Sequence, residues 1–225
     1  MNYDWQFSRI APYWSAFGSG VVVTIELTLV SVLIGGVVGS ILGIIMARTR
    51  RAFLLWFVVD LIRSIPLLPL LLFFYYFLTN QVVGFSVSSF WVAAVALALS
   101  MAAFTADIVR AAILSVPKEA IDAARALGFS EVQISRHIST QYAIRQATPG
   151  ISVLVIATLK NSSLAAIINV AEVTYAAESI LAVTARSLEV WVVVALIYIV
   201  LVWPTTYLSK KVEAWARRGE RTIIE

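Results

Sequence analysis

Long apolar stretches separated by short polar ones make up this chain, and their lengths set the first expectation. Apolar runs cover Phe17 to Ala47, Leu54 to Leu78, Val87 to Leu114, Gly150 to Val173 and Leu188 to Ser209. As a helix, each is long enough to cross a hydrocarbon core of ~30 Å. The pattern predicts an all-α integral membrane protein, a five-transmembrane-helix bundle, with residues 1–225 as a single membrane domain. In the first span Gly35, Gly39 and Gly43 recur at every fourth position with Gly36 alongside, a small-residue stripe suited to close helix packing. Trp14, Trp56, Trp91, Trp191 and Tyr207 fall near span ends, where amphipathic rings anchor at a membrane interface. Val173 to Ser187 is less apolar and carries Glu178 and Arg186, so an amphipathic helix on the outer face is expected there rather than a further span.

The longest polar interruption, a cytoplasmic loop over 116–145, is rich in helix punctuation and must sit in water. Pro117 suits the opening of a helix, Glu119 and Asp122 place negative charge in its first turns, and Arg125 suits its other end. Ala120, Ala123, Ala124 and Leu127 recur at helical spacing, which gives a face of small side chains that another surface can approach closely. Gly128 supplies the left-handed residue that ends the helix, and Ser130 with Gln133 reads as a capping box opening a second one. Two short helices meeting at a glycine are expected.

These residues carry a family resemblance. Asp122-Ala123-Ala124, three residues, Gly128, and Ile138 ten further on resemble the EAA-type cytoplasmic loop of ABC importer permease subunits. Val116-Pro117-Lys118, Ala124-Arg125-Ala126-Leu127-Gly128, Lys160-Asn161-Ser162-Ser163-Leu164 and Glu172-Val173-Thr174 follow the order and spacing of the polar amino-acid uptake group. The resemblance runs from about Gly18 to Arg218. Asp122 stands where the family usually has Glu, Ser139-Thr140-Gln141 replaces an apolar pair and proline, and Asn161 replaces the usual Asp. The resemblance implies the type I ABC importer permease fold and assigns Asp122, Ala123, Ala124, Arg125, Ala126, Leu127, Gly128 and Phe129 to coupling with an ATPase. It implies as partners two ABC ATPase subunits, a second permease copy or homologous permease, and an extracytoplasmic solute-binding protein. No cofactor is then bound by this chain; ATP and Mg are used by the partner ATPase.

Composition supports the membrane reading independently: 60% of residues are apolar and 13% charged, with a mean hydropathy of +0.89, far from soluble averages. The absence of cysteine excludes disulfides, thiolate metal sites and cysteine nucleophiles. The net charge of +4 marks a cytoplasmic face rather than a nucleic-acid surface. Arg48, Arg50 and Arg51 follow span one; Lys118, Arg125, Arg136 and Arg145 follow span three; Lys210, Lys211, Arg217, Arg218 and Arg221 follow span five. With Arg9 and Arg186 opposite, the positive-inside rule places the N-terminus outside and the C-terminus in the cytoplasm; the resemblance implies that the membrane is a bacterial inner membrane. Residues 1–16 lack a basic region with a cleavage site and are not read as a signal peptide.

Inside the spans, Glu26, Arg63 and Lys160 each fall about 13 to 15 Å from a span end, near mid-membrane. Charges at that depth cost at least ~2.5 to 3.5 kcal/mol on insertion scales and should face the bundle interior, a partner or a wet cavity. One acid and two bases suit a substrate carboxylate, with the acid free for an ammonium group; the alternative is that Glu26 pairs with Lys160 or Arg63 to hold the bundle together. Arg63-Ser64-Ile65-Pro66 and Lys160-Asn161-Ser162-Ser163 are polar breaks in apolar helices, of the kind that line transporter pathways. The candidate substrate pathway is therefore Glu26, Arg63, Ser64, Pro66, Lys160, Asn161, Ser162 and Ser163. Asp107 and Arg110, and Asp60 and Arg63, are spaced for ion pairs along one helix. Glu172 and Glu178 are expected near the outer surface, solvated or meeting a binding protein. His137 lacks the companions of a metal site, and neither a nucleophile motif nor a phosphate-cradling loop is visible. The expected function is that of a permease subunit, not an enzyme, moving polar amino acids, acidic ones or zwitterionic derivatives among them. A self-sufficient secondary transporter or channel for small zwitterions is the alternative.

Overall fold

The computed structural model describes residues 3–49, 53–78 and 87–217 and is helical almost throughout. Nine α-helices are found among the described residues: α1 Trp14–Arg48, α2 Phe53–Ser64, α3 Leu67–Leu78, α4 Ser89–Leu114, α5 Lys118–Ala126, α6 Glu131–Ile134, α7 Thr140–Asn161, α8 Val173–Thr184 and α9 Ser187–Arg217. A π-helical turn, Ser135–Ser139, joins α6 to α7, and a 3₁₀ segment, Ser162–Ile168, follows α7. Four helical stretches are long and apolar enough to cross a membrane, and a fifth forms if the broken pair α2–α3 counts as one span. Of the basic residues used above to orient the chain, Arg50, Arg51, Arg218 and Arg221 lie outside the described residues, as do Met1 and Asn2.

Small side chains set the packing. In α4, 67% of the apolar window is buried, against 28%, 39% and 22% in the other three long stretches. Its buried positions are largely alanine, so neighbouring backbones can approach it. The other helices keep large apolar side chains outside, such as Leu29, Leu33 and Val37 on α1 and Ile199, Val200 and Trp203 on α9. In water such faces would be unfavourable; facing lipid tails they are the expected surface. Trp14, Trp56, Trp91, Trp191 and Tyr207 are all exposed, as anchoring requires.

The chain divides into two compact units. The first comprises the described parts of Met1–Leu33, Ile65–Ala98 and Ile156–Thr205; the second those of Ile34–Ser64, Leu99–Val155 and Thr206–Glu225. In the first unit, Leu27, Leu71, Val92, Ala96, Ala165 and Ile168 form one core, and Phe17, Val173, Ala177, Ile180, Val190 and Val194 another. Here α1 comes close to the start of α8: a Cβ on Gly20 would lie 3.0 Å from backbone atoms of Glu172 and Val173. The Val173 N–H donates to Thr24 Oγ1 at 3.3 Å.

In the second unit, Met46, Val59, Ala103 and Ala106 form a core, as do Ala112, Ala143 and Ala147. Cβ atoms on Gly39 and Gly43 would meet the Ala102 and Ala106 carbonyl oxygens at 2.5 and 2.6 Å. Gly39 and Gly43 therefore set how closely α1 can lie on α4, whereas a Cβ on Gly36 would meet nothing within 4 Å. Of the segment Val173 to Ser187, residues Val173–Thr184 form α8, too short to span, and Ser187 opens α9; Val173, Ala176, Ala177 and Ile180 are buried while Glu178 is exposed.

Candidate functional site

The polar loop folds as its punctuation dictates, up to the second helix. Pro117 is the N-cap of α5, Glu119 lies in its first turn and Arg125 in its last. At the other end the Gly128 N–H donates to the Arg125 carbonyl at 2.9 Å, and the Phe129 N–H to that of Ala124 at 3.1 Å. This is the Schellman pattern, and Gly128 holds the left-handed conformation it needs, with φ +82°. A Cβ there would meet nothing within 4 Å, so backbone conformation and not space selects glycine.

Ser130 then caps α6 in a reciprocal box: the Gln133 N–H donates to Ser130 Oγ at 3.3 Å and the Ser130 N–H to Gln133 Oε1 at 2.8 Å. The second helix is not short. After four residues it passes through the π turn and continues to Asn161.

One guanidinium fixes the geometry of this turn. Arg125 Nε donates to Glu131 Oε1 at 2.7 Å, Nη2 to Oε2 at 3.2 Å, and Nη1 to Asp122 Oδ1 at 3.2 Å. The bidentate bond ties the end of α5 to the start of α6. It also lowers the Glu131 carboxyl below its ordinary pKa and raises that of Arg125. Ala124 is buried, whereas Ala120 and Ala123 are exposed, so the small-residue face is only partly turned inward. Leu127 is 79% exposed and Val132 76%, with Phe129 exposed beside them. Leu127, Phe129 and Val132 are thus three exposed apolar side chains on a turn held by charges and caps. His137 is exposed, its Nδ1 3.1 Å from the Gln133 carbonyl oxygen.

The intramembrane charges divide differently from the expectation. Arg63 Nη1 lies 3.1 Å from Asp107 Oδ2 and 3.7 Å from Asp60 Oδ1, and its guanidinium stands 5.4 Å from the Phe104 ring centre. Asp107 thus pairs across helices with Arg63 rather than along α4 with Arg110. The second base of the expected positive site is already matched by two acids. The Ser64 hydroxyl donates to the Asp60 carbonyl at 2.9 Å.

Arg63 and Ser64 belong to the second unit; Glu26, Pro66, Lys160, Asn161, Ser162 and Ser163 belong to the first. Within the first unit the helix that starts after Pro66 packs on the 3₁₀ segment that starts at Ser162, through Leu67, Leu71, Leu164, Ala165 and Ile168. Two breaks therefore share one core. Ser162 is fully buried with its hydroxyl donating to Leu159, and Ser163 donates to Lys160. Lys160, Asn161 and Glu26 are exposed, and neither charged member of that set has an ion-pair partner among the described residues.

Two acids hold structural positions that sequence reasoning missed. Glu172, expected at a solvated surface, is fully buried. It caps α8 by accepting the Tyr175 N–H at 2.8 Å, and it accepts the Tyr198 hydroxyl at 3.1 Å. Its place between a polar break and an apolar helical run was the available signal for a cap. Glu189 is equally buried and accepts the Tyr3 hydroxyl at 2.5 Å and the Gln6 N–H at 3.0 Å, with Arg186 Nη1 at 3.8 Å. No local pattern joins residues so far apart in sequence. Among the described residues no three of His, Asp and Glu gather as a metal site.

Comparison with known proteins adds the family context. The family model described as "Binding-protein-dependent transport system inner membrane component" matches residues 35–218. The arginine transport system permease protein ArtQ of Bacillus subtilis (strain 168) is 33% identical over 216 residues, covering 95% of this chain and 97% of that protein. The octopine transport system permease protein OccM of Rhizobium radiobacter is 34% identical over 217 residues, covering 90% and 86%. Among solved structures, an amino acid ABC transporter crystallised with histidines superposes with a TM-score of 0.84 at 29% identity, over 95% of this chain and 99% of that one. An inward-facing MetNI methionine ABC transporter has a TM-score of 0.77 at 24% identity, over 92% and 99%, a likeness of fold.

Proposed function

We propose that this chain, which belongs to the family of binding-protein-dependent transport system inner membrane components, is the permease subunit of a bacterial ABC importer for polar amino acids or their zwitterionic derivatives. It sits in the cytoplasmic membrane with its N-terminus outside and its C-terminus inside, paired with a second permease copy or a homologue. Two ATPase subunits bind from the cytoplasm and a solute-binding protein delivers substrate from the other side. The observation that carries this reading is the display of Leu127, Phe129 and Val132 on a turn whose shape is fixed by Arg125, Glu131 and Gly128.

The chain itself hydrolyses nothing in this account; the ATPase uses ATP and Mg. ATP-bound and ADP-bound ATPase must differ in affinity for two arrangements of the permease, since a partner shifts an equilibrium only through differential affinity. That difference enters at residues 122–129 and Val132. From Glu131 the helical path continues to Asn161, so a displaced turn moves the start of a path that ends at the Lys160–Ser163 break.

Lys160 is the base of the pathway that no described carboxylate neutralises, and it suits a substrate carboxylate, with Asn161 beside it. Glu26 is free for an ammonium group. Arg63 holds the bundle through Asp107 and Asp60 instead of meeting substrate. Relatives named for arginine, octopine and glutamine support a substrate bearing a carboxylate.

The chain has no cysteine, so a single Val132→Cys variant reports without background. Disulfide or maleimide cross-linking to a cysteine scan of the co-expressed ATPase should trap one adduct whose yield changes with ATP. An absence of adducts across the scan, with uptake intact, would remove this turn as the docking element.

A further inference from the structure

The residues lining one groove in the second unit take no part in the transport reading. The groove encloses about 520 Å³, within the range of small-molecule sites. Its walls are mainly aliphatic, from Ile44, Val109, Ile113, Ile144 and Ile151, floored by Ala143 and Ala147. Along α1 it extends from Ser40 to Arg48, about 12 Å, and along the other wall from Ser135 to Ile151, about 24 Å.

The shape is therefore long and apolar, and one end differs in chemistry from the rest. Arg48, Ser135 and Thr140 line both the groove and an adjoining cleft of about 470 Å³, which adds Arg136 and, from the turn assigned above to the ATPase, Glu131 and Val132. Glu131 is committed to Arg125 at 2.7 Å. Arg48 and Arg136 have no ion-pair partner among the described residues. The mouth thus offers two uncompensated cations and two hydroxyl groups, both hydroxyls from or next to the π turn.

We infer that this groove is a binding site for an anionic phospholipid, with an acyl chain lying along the aliphatic walls and the headgroup phosphate at Arg48 and Arg136. The observation that selects this occupant is charge complementarity at one end of an apolar slot. A soluble polar ligand would leave its own groups unpaired against the isoleucines, and a neutral apolar molecule would leave the two arginines unused. A lipid also reaches the site from the bilayer, since Ile44 and Ile144 are exposed on the flank of the helices they belong to. The π turn has a place in this arrangement: it brings Ser135 and Ser139 to the groove on a helix whose alanines pack inward. Nothing in the inference depends on which solute is transported.

The test uses the full chain, with whatever subunits co-purify, in nanodiscs of equal phosphatidylglycerol and phosphatidylcholine with matched acyl chains. Retained lipid is counted by native mass spectrometry after release. Retention of phosphatidylglycerol should exceed that of phosphatidylcholine, by roughly fivefold for each arginine engaged. The Arg48→Ala/Arg136→Ala double variant should bring the two lipids to parity, and Ile144→Trp, which fills the slot, should lower both. A photoreactive benzoylphenylalanine in place of Ile144 gives a readout on an otherwise unaltered chain and should yield lipid adducts. Parity in the unaltered protein, preference that survives the double arginine variant, retention unchanged by Ile144→Trp, or adducts only to protein would each overturn the assignment, the last by making the groove an interface with another subunit.

Discussion

Glu189 and Glu131 each have an arginine close by, yet they sit in opposite settings. Glu189 has no exposed surface and gathers Tyr3, the Gln6 amide and Arg186, whereas the Glu131 side chain is 71% exposed and is held by Arg125. The first knots the N-terminal segment to the start of α9. Glu172 does a related job in the same unit, capping α8 and receiving Tyr198. The second shapes a turn without enclosing it, and leaves Leu127 and Val132 in solvent. A buried acid with several partners is structural, because its loss strands all of them. An exposed ion pair adds little to stability in itself, and its value here is the pose it gives to apolar neighbours.

The contrast breaks most readily at Glu172. Glu172→Ala removes a helix cap and leaves the Tyr198 hydroxyl without its partner, and should lower stability by about 2 to 4 kcal/mol. Thermal unfolding in detergent measures it, with Glu172→Gln, which keeps an acceptor, recovering much of the loss. An unchanged midpoint for Glu172→Ala would mean the carboxylate is not the hub its contacts describe.

A smaller effect is expected at the periphery of the same unit. Glu189→Ala should release residues 3–13 first, seen as faster amide exchange there while α4 keeps its protection. Uniform protection would break the link between Glu189 and the N-terminal segment.

The turn should behave in the opposite way. Gly128→Ala places a side chain at φ +82° and costs about 1 to 2 kcal/mol locally. It should reduce coupling of ATP hydrolysis to uptake while the protein stays in the membrane at ordinary abundance. Gly128→Asp should do so more strongly, and normal transport in both would dissociate the turn's shape from function.

The smallest effect belongs to pH. The Glu131 pKa is lowered by Arg125, so its contribution is present above the ordinary glutamate value and fades as pH falls through the lowered folded value. Between pH 7 and 5 exchange protection of residues 118–131 should hold steady; a loss in that window would place the control elsewhere.

Much of this was legible where the cause is local. Gly128, the Ser130–Gln133 box and the break before Pro66 are each decided by a few neighbouring residues, and the close approach at Gly39 and Gly43 by a four-residue spacing. What failed needed distant chain. Asp107 has Arg110 one turn away but finds Arg63 on another helix, and Glu172 looked solvated because its partner Tyr198 lies in a different element. The π turn carries no compositional mark, so two short helices were expected where one continues to Asn161. For the site, the turn was readable residue by residue, while the substrate pathway was not, since the ion-pairing of Arg63 changes which charges remain available.

The permease reading stands or falls on uptake of a radiolabelled amino acid into liposomes, with this chain reconstituted beside its ATPase and binding protein. Accumulation that requires ATP and the binding protein, and that falls in Leu127→Asp/Val132→Asp while the complex remains in the membrane, is the predicted result. Uptake by this chain alone, without ATP, would contradict it.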